Sequence, residues 1–595
     1  MKFRLVFLVL AVALVWQPLH ECVAQVEITA DELRDHISFL ASDSLKGRKP
    51  GTREGDIAAE YIRDLVVKNG LKPVGENGFQ YFNVVTAVEL GDRNSLSFGS
   101  FQGENKRDYI PLSFSANGKL TANVVFVGYG LDFDADSISW HDYQNMDVAG
   151  KWVVMLFGYP EMKIQPAEFE KQSPIHKKII VAKDKGCAGV LFVSGEKYDP
   201  KDELTTLYYE QGKSSVGMPV LHVKRNIADS LFAGTGKNIA NLEATILAEK
   251  KPVSFATTKE LTAEVDVVKK EVRTQNVVAV LDGADKVLKN EYIVLGAHYD
   301  HLGMGGMGSG SRRPDTLAIH NGADDNASGV AGILEIIEKL AANRKSLKRS
   351  ILFIGFGAEE MGTVGSKYFI NHPLVDLKQI KYMFNLDMVG RLDKESQSLS
   401  VSGTGTAVGL DSVVKTHTRN SGLSARLSSD GYGPSDHAPF YISNISVLSF
   451  MTSIHADYHT PVDDVEKINF EGEKKIADLV YSLITDLANR SEVLAFQEAG
   501  PKTQPGMTRR FKVTLGIMPD VVSTDIKGLR ADAVLSGRPA ANAGMQKGDI
   551  IVAMEGKPIH DIYEYMHRLA DFKVGQRISI EVMRNGKKEI LIVEL

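Results

Sequence analysis

Histidine and carboxylate side chains recur where apolar runs of this sequence end. His298 and Asp300 end the run YIVLGAHYDH, Glu359 and Glu360 end ILFIGFGAEE, and Asp387 directly follows YMFNL. Several carboxylates brought together repel one another, so such a group is costly unless a cation binds it. Nitrogen and oxygen ligands without thiolate suit zinc in a hydrolytic site. The pattern therefore predicts a metal-dependent hydrolytic centre.

Two further segments supply the remaining candidate residues. HNGADDNASG carries Asp324 and Asp325 at the start of a predicted helix, and DYHTPVDD carries His459. Taken alone each has an ordinary structural interpretation, since Asp324 would also serve as a helix cap and carboxylate pairs are usually solvated. Taken together they favour metal, and a shared carboxylate would bridge two ions about 3.5–4 Å apart. The chemistry allows either aspartate to bridge.

Two local spacings suggest different roles for neighbouring residues. Residues two apart on a strand face the same way, so Asp300 is expected to steady the imidazole of His298. Glu359 and Glu360 are adjacent and therefore face different directions. One of them is expected to bind metal while the other takes a proton from metal-bound water.

The same segments alternate between strand and helix patterns. Near-continuous apolar strands such as YIVLGAHYD, RSILFIGFG and KYMFNLDMV accompany the helix pattern ASGVAGILEIIEKLAA. This alternation predicts an α/β fold whose sheet is buried on both faces. Ligands bind at the carboxyl edge of such sheets, where the candidate residues are expected to meet. Upstream, REGDIAAEYIRDLVVKNG has the spacing of an amphipathic helix followed by a glycine stop.

Length and charge limit the classes of function. The chain has 595 residues, well above the roughly 250–300 at which single cores stop growing, so several domains are expected. A formal net charge of −6 argues against a general polyanion-binding surface. Nucleic acid is therefore not expected as a partner.

The first segment, MKFRLVFLVLAVALVWQPLHECVAQ, has a basic start, an apolar stretch and the small residue Ala24 as a candidate cleavage position. We predict a signal peptide over 1–24 and export to the periplasm or the extracellular space. A membrane anchor is the alternative, but the apolar run is shorter than the roughly 20 residues a bilayer requires. No stable membrane span is expected after cleavage. Cys187 would then be the only cysteine, which excludes an intrachain disulfide.

A block with a different sequence pattern interrupts the alternation of strands and helices. Residues 113–255 contain short β-rich runs such as NVVFVGYGL and GVLFVSG, without clustered histidines or carboxylates. We interpret this block as an inserted module. The α/β domain is therefore predicted to be discontinuous, comprising residues 25–112 and 256–497.

The motifs GAHYDH, NGADDNASG, GAEEMGTVGS, NLDMVG, SDHAPF and DYHTPVDD, in this order, resemble those of the co-catalytic di-zinc aminopeptidases. That family includes the bacterial leucyl aminopeptidases and aminopeptidase Y. The upstream GRKPGTREGDIAAEYI is similar to the family's N-terminal helix. The resemblance covers most of residues 26–112 and 256–490 and implies a mixed-sheet αβα zinc exopeptidase domain.

The resemblance also implies a set of metal ligands for two zinc ions. His298 and Asp387 are expected on one zinc ion, and Glu360 and His459 on the other. Asp324 is expected to bridge the two ions, a choice that rests on the family alignment of GADDNASG.

Three more residues receive roles from the same resemblance. Glu359 is expected to be the general base that deprotonates a bridging water, and Asp300 is expected to orient His298. Tyr432, which precedes the Ser-Asp-His motif in GYGPSDHAPF, is expected to stabilise the oxyanion. The implied reaction is hydrolysis of N-terminal residues from peptides.

The inserted module resembles a protease-associated (PA) domain, through VVFVGYGL, VAGKWVVML, KGCAGVLFVSG and MPVLHV. In relatives of the family such an insert implies a cover over the cleft that limits substrate size. A passive packing role is an equally open interpretation, because inserted surface modules need not act on substrate.

Residues 498–510 have the Pro, Gly and Thr content of a linker, and 511–595 resemble a PDZ domain through RPAANAGMQKGDIIVAMEGKPI. Asn585-Gly586 predicts a terminal hairpin. PDZ domains bind extended peptide ends by adding a strand, which makes a peptide C-terminus an expected partner. The segment VTLGIMP stands where the carboxylate-binding loop would lie, although its flanking residues depart from the usual loop, so a structural or substrate-presenting role stays open.

Three alternative functions remain beside the interpretation as an aminopeptidase. The same fold includes glutaminyl cyclases with one zinc, which the full ligand set disfavours. It also includes carboxypeptidases, which would need a basic residue near the cleft, and Arg312, Arg313 and Arg391 are candidates. A non-catalytic peptide-binding protein would have lost ligands, and none is missing.

Overall fold

The computed structural model describes residues 26–135, 138–161, 167–209, 215–500, 513–520, 527–535 and 537–595. The predicted signal peptide lies outside these residues, as does most of the predicted linker. The α-helices in the described ranges are α1 (Ala30–Leu40), α2 (Arg53–Lys68), α3 (Ala167–Gln172), α4 (Ile175–Asp184), α5 (Arg225–Leu231), α6 (Ile239–Glu249), α7 (Gly329–Ala342), α8 (Val364–Asn371), α9 (Leu410–Ser421), α10 (His437–Ile442), α11 (Phe470–Asn489), α12 (Pro539–Asn542) and α13 (Ile562–Ala570).

The strands form three main sheets and one small ribbon. In chain order they are β1 (Lys72–Pro73), β2 (Phe79–Leu90), β3 (Ser95–Phe98), β4 (Phe101–Gln102), β5 (Tyr109–Pro111), β6 (Gly118–Val127), β7 (Asp132–Ala135), β8 (Ile138–His141), β9 (Trp152–Leu156), β10 (Gly189–Val193), β11 (Val220–Val223), β12 (Ser254–Val265), β13 (Val267–Leu281), β14 (Tyr292–His298), β15 (Ser350–Phe356), β16 (Ile380–Leu386), β17 (Ser398–Ser402), β18 (Ser424–Leu427), β19 (Ser446–Met451), β20 (Ile517–Pro519), β21 (Leu529–Val534), β22 (Ile550–Met554), β23 (Lys557–Pro558), β24 (Arg577–Arg584) and β25 (Lys587–Glu594).

The largest sheet is mixed and has the strand order β1-β13-β15-β14-β16-β19-β17-β18, with β2 also pairing with β13. Its central strands β15, β14, β16 and β19 run parallel, whereas β13 and β17 join them antiparallel. Helices α1, α2, α7 and α11 pack on one face, and α8 and α10 on the other. This αβα arrangement confirms the predicted fold class. It also explains why β14 and β15 are apolar almost throughout, since water reaches neither face.

Helix α2 shows how local sequence sets an element of this layer. The hydroxyl of Thr52 caps its first turn by accepting the N–H of Gly55 at 3.2 Å. Ala58, Ile62 and Val66 recur on its buried face. The predicted amphipathic helix is confirmed, and it brings the loop before it against the large sheet.

The second sheet has the strand order β4-β3-β12-β6-β9-β10-β11-β5. Its strands run from Ser95 to Val265, so this sheet extends beyond the predicted limits of 113–255 on both sides. The neighbouring strands β12 and β13 belong to different sheets, and the chain crosses between them at Asp266. The carboxylate of Asp266 accepts the Arg93 side chain at 3.0 and 3.1 Å, which fixes this crossing.

The third sheet, in residues 517–594, has the order β20-β21-β22-β24-β25, with β23 on β22. Strands β24 and β25 form the predicted hairpin, in which Arg584 faces Lys587 across Asn585-Gly586. Both turn residues have positive φ, +50° and +77°, as a two-residue hairpin of this type requires. None of the helices in the described ranges combines the length and apolarity needed to cross a bilayer.

Candidate metal centre

The carboxyl ends of four parallel strands meet at one edge of the large sheet. His298 is the last residue of β14, and Glu359 and Glu360 lie in the turn after β15. Asp387 directly follows β16, and His459 lies in the loop after β19. The structure thus brings these side chains to the edge where open α/β sheets bind ligands.

The first group of ligand atoms surrounds the imidazole of His298. Its Nε2 lies 3.4 Å from Oδ1 of Asp325 and 3.5 Å from Oδ1 of Asp387. All three side chains are buried. Their ligand atoms lie within 4.8 Å of one another, close enough to share one ion.

The second group surrounds the carboxylate of Glu360. Nε2 of His459 lies 3.0 Å from Oε2 of Glu360 and 3.2 Å from Oδ2 of Asp325. On the other side, Nδ1 of His301 lies 2.7 Å from Oε1 of Glu360. The two oxygens of Asp325 therefore face two different histidine–carboxylate groups. His301 was not singled out from the sequence, although it stands in the GAHYDH motif.

The structure contradicts the assignment of the shared position to Asp324. Oδ1 of Asp324 accepts the main-chain N–H of Gly390 at 2.7 Å and the hydroxyl of Ser328 at 3.0 Å. Its Oδ2 lies 3.1 Å from Nε2 of His455. Both oxygens are thus engaged away from the two groups, and Asp325 occupies the shared position instead.

A tight turn directs Asp325 toward the two groups. Residues Ala323–Ser328 form one π-helical turn in which Asp325 has non-helical dihedral angles. Oδ2 of Asp463 accepts the main-chain N–H groups of both Asp324 and Asp325, each at 3.0 Å. Asp463 stands in the DYHTPVDD motif, so one loop supplies both His459 and the carboxylate that holds this turn.

Asp300 links the strand of His298 to the turn of the two glutamates. Its carboxylate accepts the N–H of Glu359 at 2.9 Å and that of Glu360 at 3.3 Å. Nδ1 of His298 lies 3.3 Å from the main-chain oxygen of Asp300 and 3.8 Å from its Oδ1. Burial raises the pKa of Asp300 to about 6, against the opposing effect of His298.

Glu359 lies beside the first group without being one of its ligands. Its Oε2 is 4.0 Å from Nε2 of His298. Burial raises the pKa of Glu359 well above its usual range, and the charges of Asp436 and Glu360 act in the same direction. A raised pKa makes the carboxylate of Glu359 a stronger proton acceptor than an ordinary glutamate.

The electrostatics of the two groups fit a divalent cation. Burial alone would lower the pKa of His298, yet the carboxylates around it, Glu359 first, raise it well above its usual range. The pKa of His459 likewise rises to about 10 against burial, because of Asp325 and its neighbours. The carboxylates therefore stabilise positive charge between them, and a donor set of imidazole nitrogen and carboxylate oxygen suits zinc.

Two tyrosines, Tyr432 and Tyr458, differ in what they pack against. Tyr432, the predicted oxyanion residue, packs against the apolar cluster that includes Phe440, and burial raises its pKa. The ring of Tyr458 stacks on His459 with centroids 3.8 Å apart. The pKa of Tyr458 is raised by burial and then by the charges of the site carboxylates, Asp325 first. Tyr458 thus accompanies the two groups, and its position before His459 was the available sequence signal.

A buried guanidinium lies beneath the site. Arg48 donates from Nε to the carbonyl of Tyr299 at 2.7 Å, and from Nη1 to those of Leu40 and Asn321 at 2.6 Å each. Its Nη2 donates to the carbonyl of Gly322 at 3.1 Å. Burial lowers its pKa to about 10. Sequence reasoning missed Arg48 because arginine is rarely buried, and only its place in the glycine-rich loop before α2 marks it.

Comparison with known proteins connects this geometry with a family. Residues 276–484 match the family model described as peptidase family M28, and residues 513–595 match that of the PDZ domain. Aminopeptidase YwaD of Bacillus subtilis is 26% identical over 307 residues, which cover 50% of this chain and 57% of that protein. Leupeptin-inactivating enzyme 1 of Streptomyces exfoliatus is 28% identical over 195 residues, covering 32% and 38%.

Among solved structures, an aminopeptidase from Aneurinibacillus sp. strain AM-1 aligns with a TM-score of 0.47 at 23% identity, covering 80% of this chain and 98% of that one. The chain spans about half the length, or less, of the curated relatives it matches. The match at the C-terminus confirms the predicted PDZ domain.

Proposed function

We propose that the protein is a zinc-dependent aminopeptidase of peptidase family M28, whose family model matches residues 276–484. It removes N-terminal residues from peptides by hydrolysis. The observation that carries the proposal is the shared carboxylate of Asp325, whose oxygens lie 3.4 Å from His298 Nε2 and 3.2 Å from His459 Nε2. One carboxylate between two ligand groups is what a site with two ions requires.

The proposed ligands follow from these contacts. His298 and Asp387 would hold one zinc ion, Glu360 and His459 would hold the other, and Asp325 would be shared. His301, at 2.7 Å from Glu360, stands ready as a further ligand or as the partner that orients this carboxylate. When bound, zinc lowers the pKa of a coordinated water and polarises the scissile carbonyl.

The residues of the chain perform the proton transfers. Glu359 takes a proton from the attacking water and delivers it to the leaving amine, a role that its raised pKa and its place beside His298 support. The phenol of Tyr458 donates a hydrogen bond to the oxygen that becomes negative on the substrate carbonyl. Asp300 and Asp463 act as positioning residues through the main-chain bonds described above.

We propose a free amino group as the feature of the substrate that the site recognises. A substrate α-amine is cationic at neutral pH, and a carboxylate that no metal ion neutralises would attract it. Arg391, one of the candidates for a carboxypeptidase site, is engaged with Asp457 at 3.0 Å. We propose export of the protein on the basis of the predicted signal peptide. We also propose a peptide C-terminus as the ligand of the PDZ domain, because β20 lies at the edge of its sheet in the described residues, where a peptide strand could be added.

The test is hydrolysis of leucyl anilide and of its N-acetylated counterpart, before and after chelation. We expect cleavage of the free-amino substrate alone, lost with the metal and restored by zinc. A Glu359→Gln variant should retain zinc and lose at least about 100-fold in kcat. Equal cleavage of the blocked substrate, or wild-type turnover in Glu359→Gln, would contradict the proposal.

A further inference from the structure

Arg312 is held next to the candidate metal centre by the loop between β14 and the turn of Asp325. Its main-chain N–H donates to the carbonyl of His459 at 3.0 Å. Two residues earlier, the carbonyl of Gly310 lies 3.1 Å from Nδ1 of the same histidine. The loop is therefore bonded to a candidate ligand on both sides, which fixes where the side chain of Arg312 begins.

The guanidinium of Arg312 lies over the ring of Tyr458, 4.8 Å from its centroid. Tyr458 in turn stacks on His459. Stacking uses the flat face of a guanidinium and leaves its N–H edge available for a planar, two-oxygen acceptor. The ring of Tyr458 therefore lies between the guanidinium of Arg312 and His459, one of the candidate ligands.

The guanidinium of Arg312 has no carboxylate partner among the described residues. In the part of the chain that the structure describes, no carboxylate lies within 4.0 Å of its guanidinium nitrogens, and the side chain is exposed. The other arginines near the centre are engaged, Arg48 with four carbonyl groups and Arg391 with Asp457. The carboxylates of the centre would repel an anionic group of a substrate. An exposed arginine beside them would attract that group.

We propose that Arg312 binds a substrate carboxylate located just beyond the cleaved bond, so that the enzyme favours short peptides or peptides with an acidic residue there. This inference rests on the proposed function. An extended chain advances about 3.3–3.6 Å per residue, so a carboxylate one or two residues past the scissile bond is within reach of this side chain. The carboxylate has two sources, the C-terminus of a dipeptide or an Asp or Glu side chain.

Two substrate pairs distinguish these sources. Leu-Gly against leucyl-glycinamide varies only the terminal carboxylate, and leucyl-glutamate amide against leucyl-glutamine amide varies only the side chain. For each pair the ratio of kcat/KM is measured in the wild type and in Arg312→Gln. We expect the ratio to fall about tenfold in at least one pair, through KM rather than kcat, because a charge-assisted hydrogen bond is lost. The pair in which it falls identifies the source.

Two further variants make the result specific. Arg313→Gln removes an exposed neighbouring charge and should leave both ratios at the wild-type value. Arg312→Lys keeps the charge without the planar fork and should retain part of the preference. Ratios in Arg312→Gln that equal those of the wild type, or that fall equally in Arg313→Gln, would overturn the role of Arg312. If the wild type cleaves leucyl anilide but none of the four substrates, the role of Arg312 is overturned; if it cleaves neither, the proposed function itself is contradicted.

Discussion

Asp325 is the side chain on which the proposed centre depends, because its two oxygens face two different histidines. The neighbouring Asp324 has the same chemistry and is equally buried, yet it is engaged with Gly390, Ser328 and His455. The difference comes from backbone direction alone, since adjacent residues in a tight turn point to different sides. Charge and hydrogen-bonding capacity could not separate the two aspartates in the sequence.

Tyr458 and Tyr432 are the two candidates for the side chain that donates a hydrogen bond to the oxyanion, and substitution can distinguish them. We expect Tyr458→Phe to lower kcat about 100-fold, because the phenol is the proposed donor to the developing oxyanion. Tyr432→Phe is the matched control and should stay within about twofold of the wild type. Steady-state kinetics on leucyl anilide measure both. A large loss in Tyr432→Phe with little change in Tyr458→Phe would reverse the assignment.

At the scale of elements, the parallel strands were the most predictable feature. Strands β14, β15 and β16 each read as an apolar run ending in histidine or carboxylate, because burial on both faces leaves polar residues only at the edge. What the sequence could not show was the path of the loops. The π-helical turn at Ala323–Ser328 and the limits of the second sheet depend on contacts between segments distant in sequence.

Arg48 is the clearest case of such a distant contact, since it joins the end of α1, the loop after β14 and the turn before Asp325. We expect Arg48→Lys to reduce the free energy of unfolding by about 3 kcal/mol, because one ammonium cannot replace a guanidinium that donates to four carbonyl groups. Arg53→Lys, on the exposed face of α2 and paired with Glu60, should change it by less than about 0.5 kcal/mol. Urea unfolding of the purified chain measures both changes in free energy. Similarly small changes in the two variants would contradict the role given to Arg48.

At the scale of the whole molecule, the PDZ domain contacts the second sheet's layer through its helix α13. Arg568 donates to Asp184 at the end of α4 at 2.6 Å, and the ring of Tyr563 stacks on His176 at 4.6 Å. Lys183 and Glu564 add a second ion pair across the same contact. This contact could not be predicted from the sequence, because ion pairs between modules leave no periodic pattern.

This contact can be tested by reversing the charges of one pair. We expect Asp184→Arg or Arg568→Asp alone to speed hydrogen exchange in α13, because each leaves like charges facing one another. The double variant should recover protection, with a coupling free energy of about 1 kcal/mol in the opening of the helix. Effects of the two single variants that simply add would indicate that the pair does not hold the domain in place.

The most direct test of the central claim is the zinc content of the purified chain and of two aspartate variants, measured by mass spectrometry after dialysis against limiting free zinc. The account predicts about two zinc ions per chain in the wild type. It predicts about one or fewer in Asp325→Asn, and a content close to the wild type in Asp324→Asn. An Asp325→Asn chain that keeps both ions while Asp324→Asn loses them, or a folded wild type that binds none, would contradict the account.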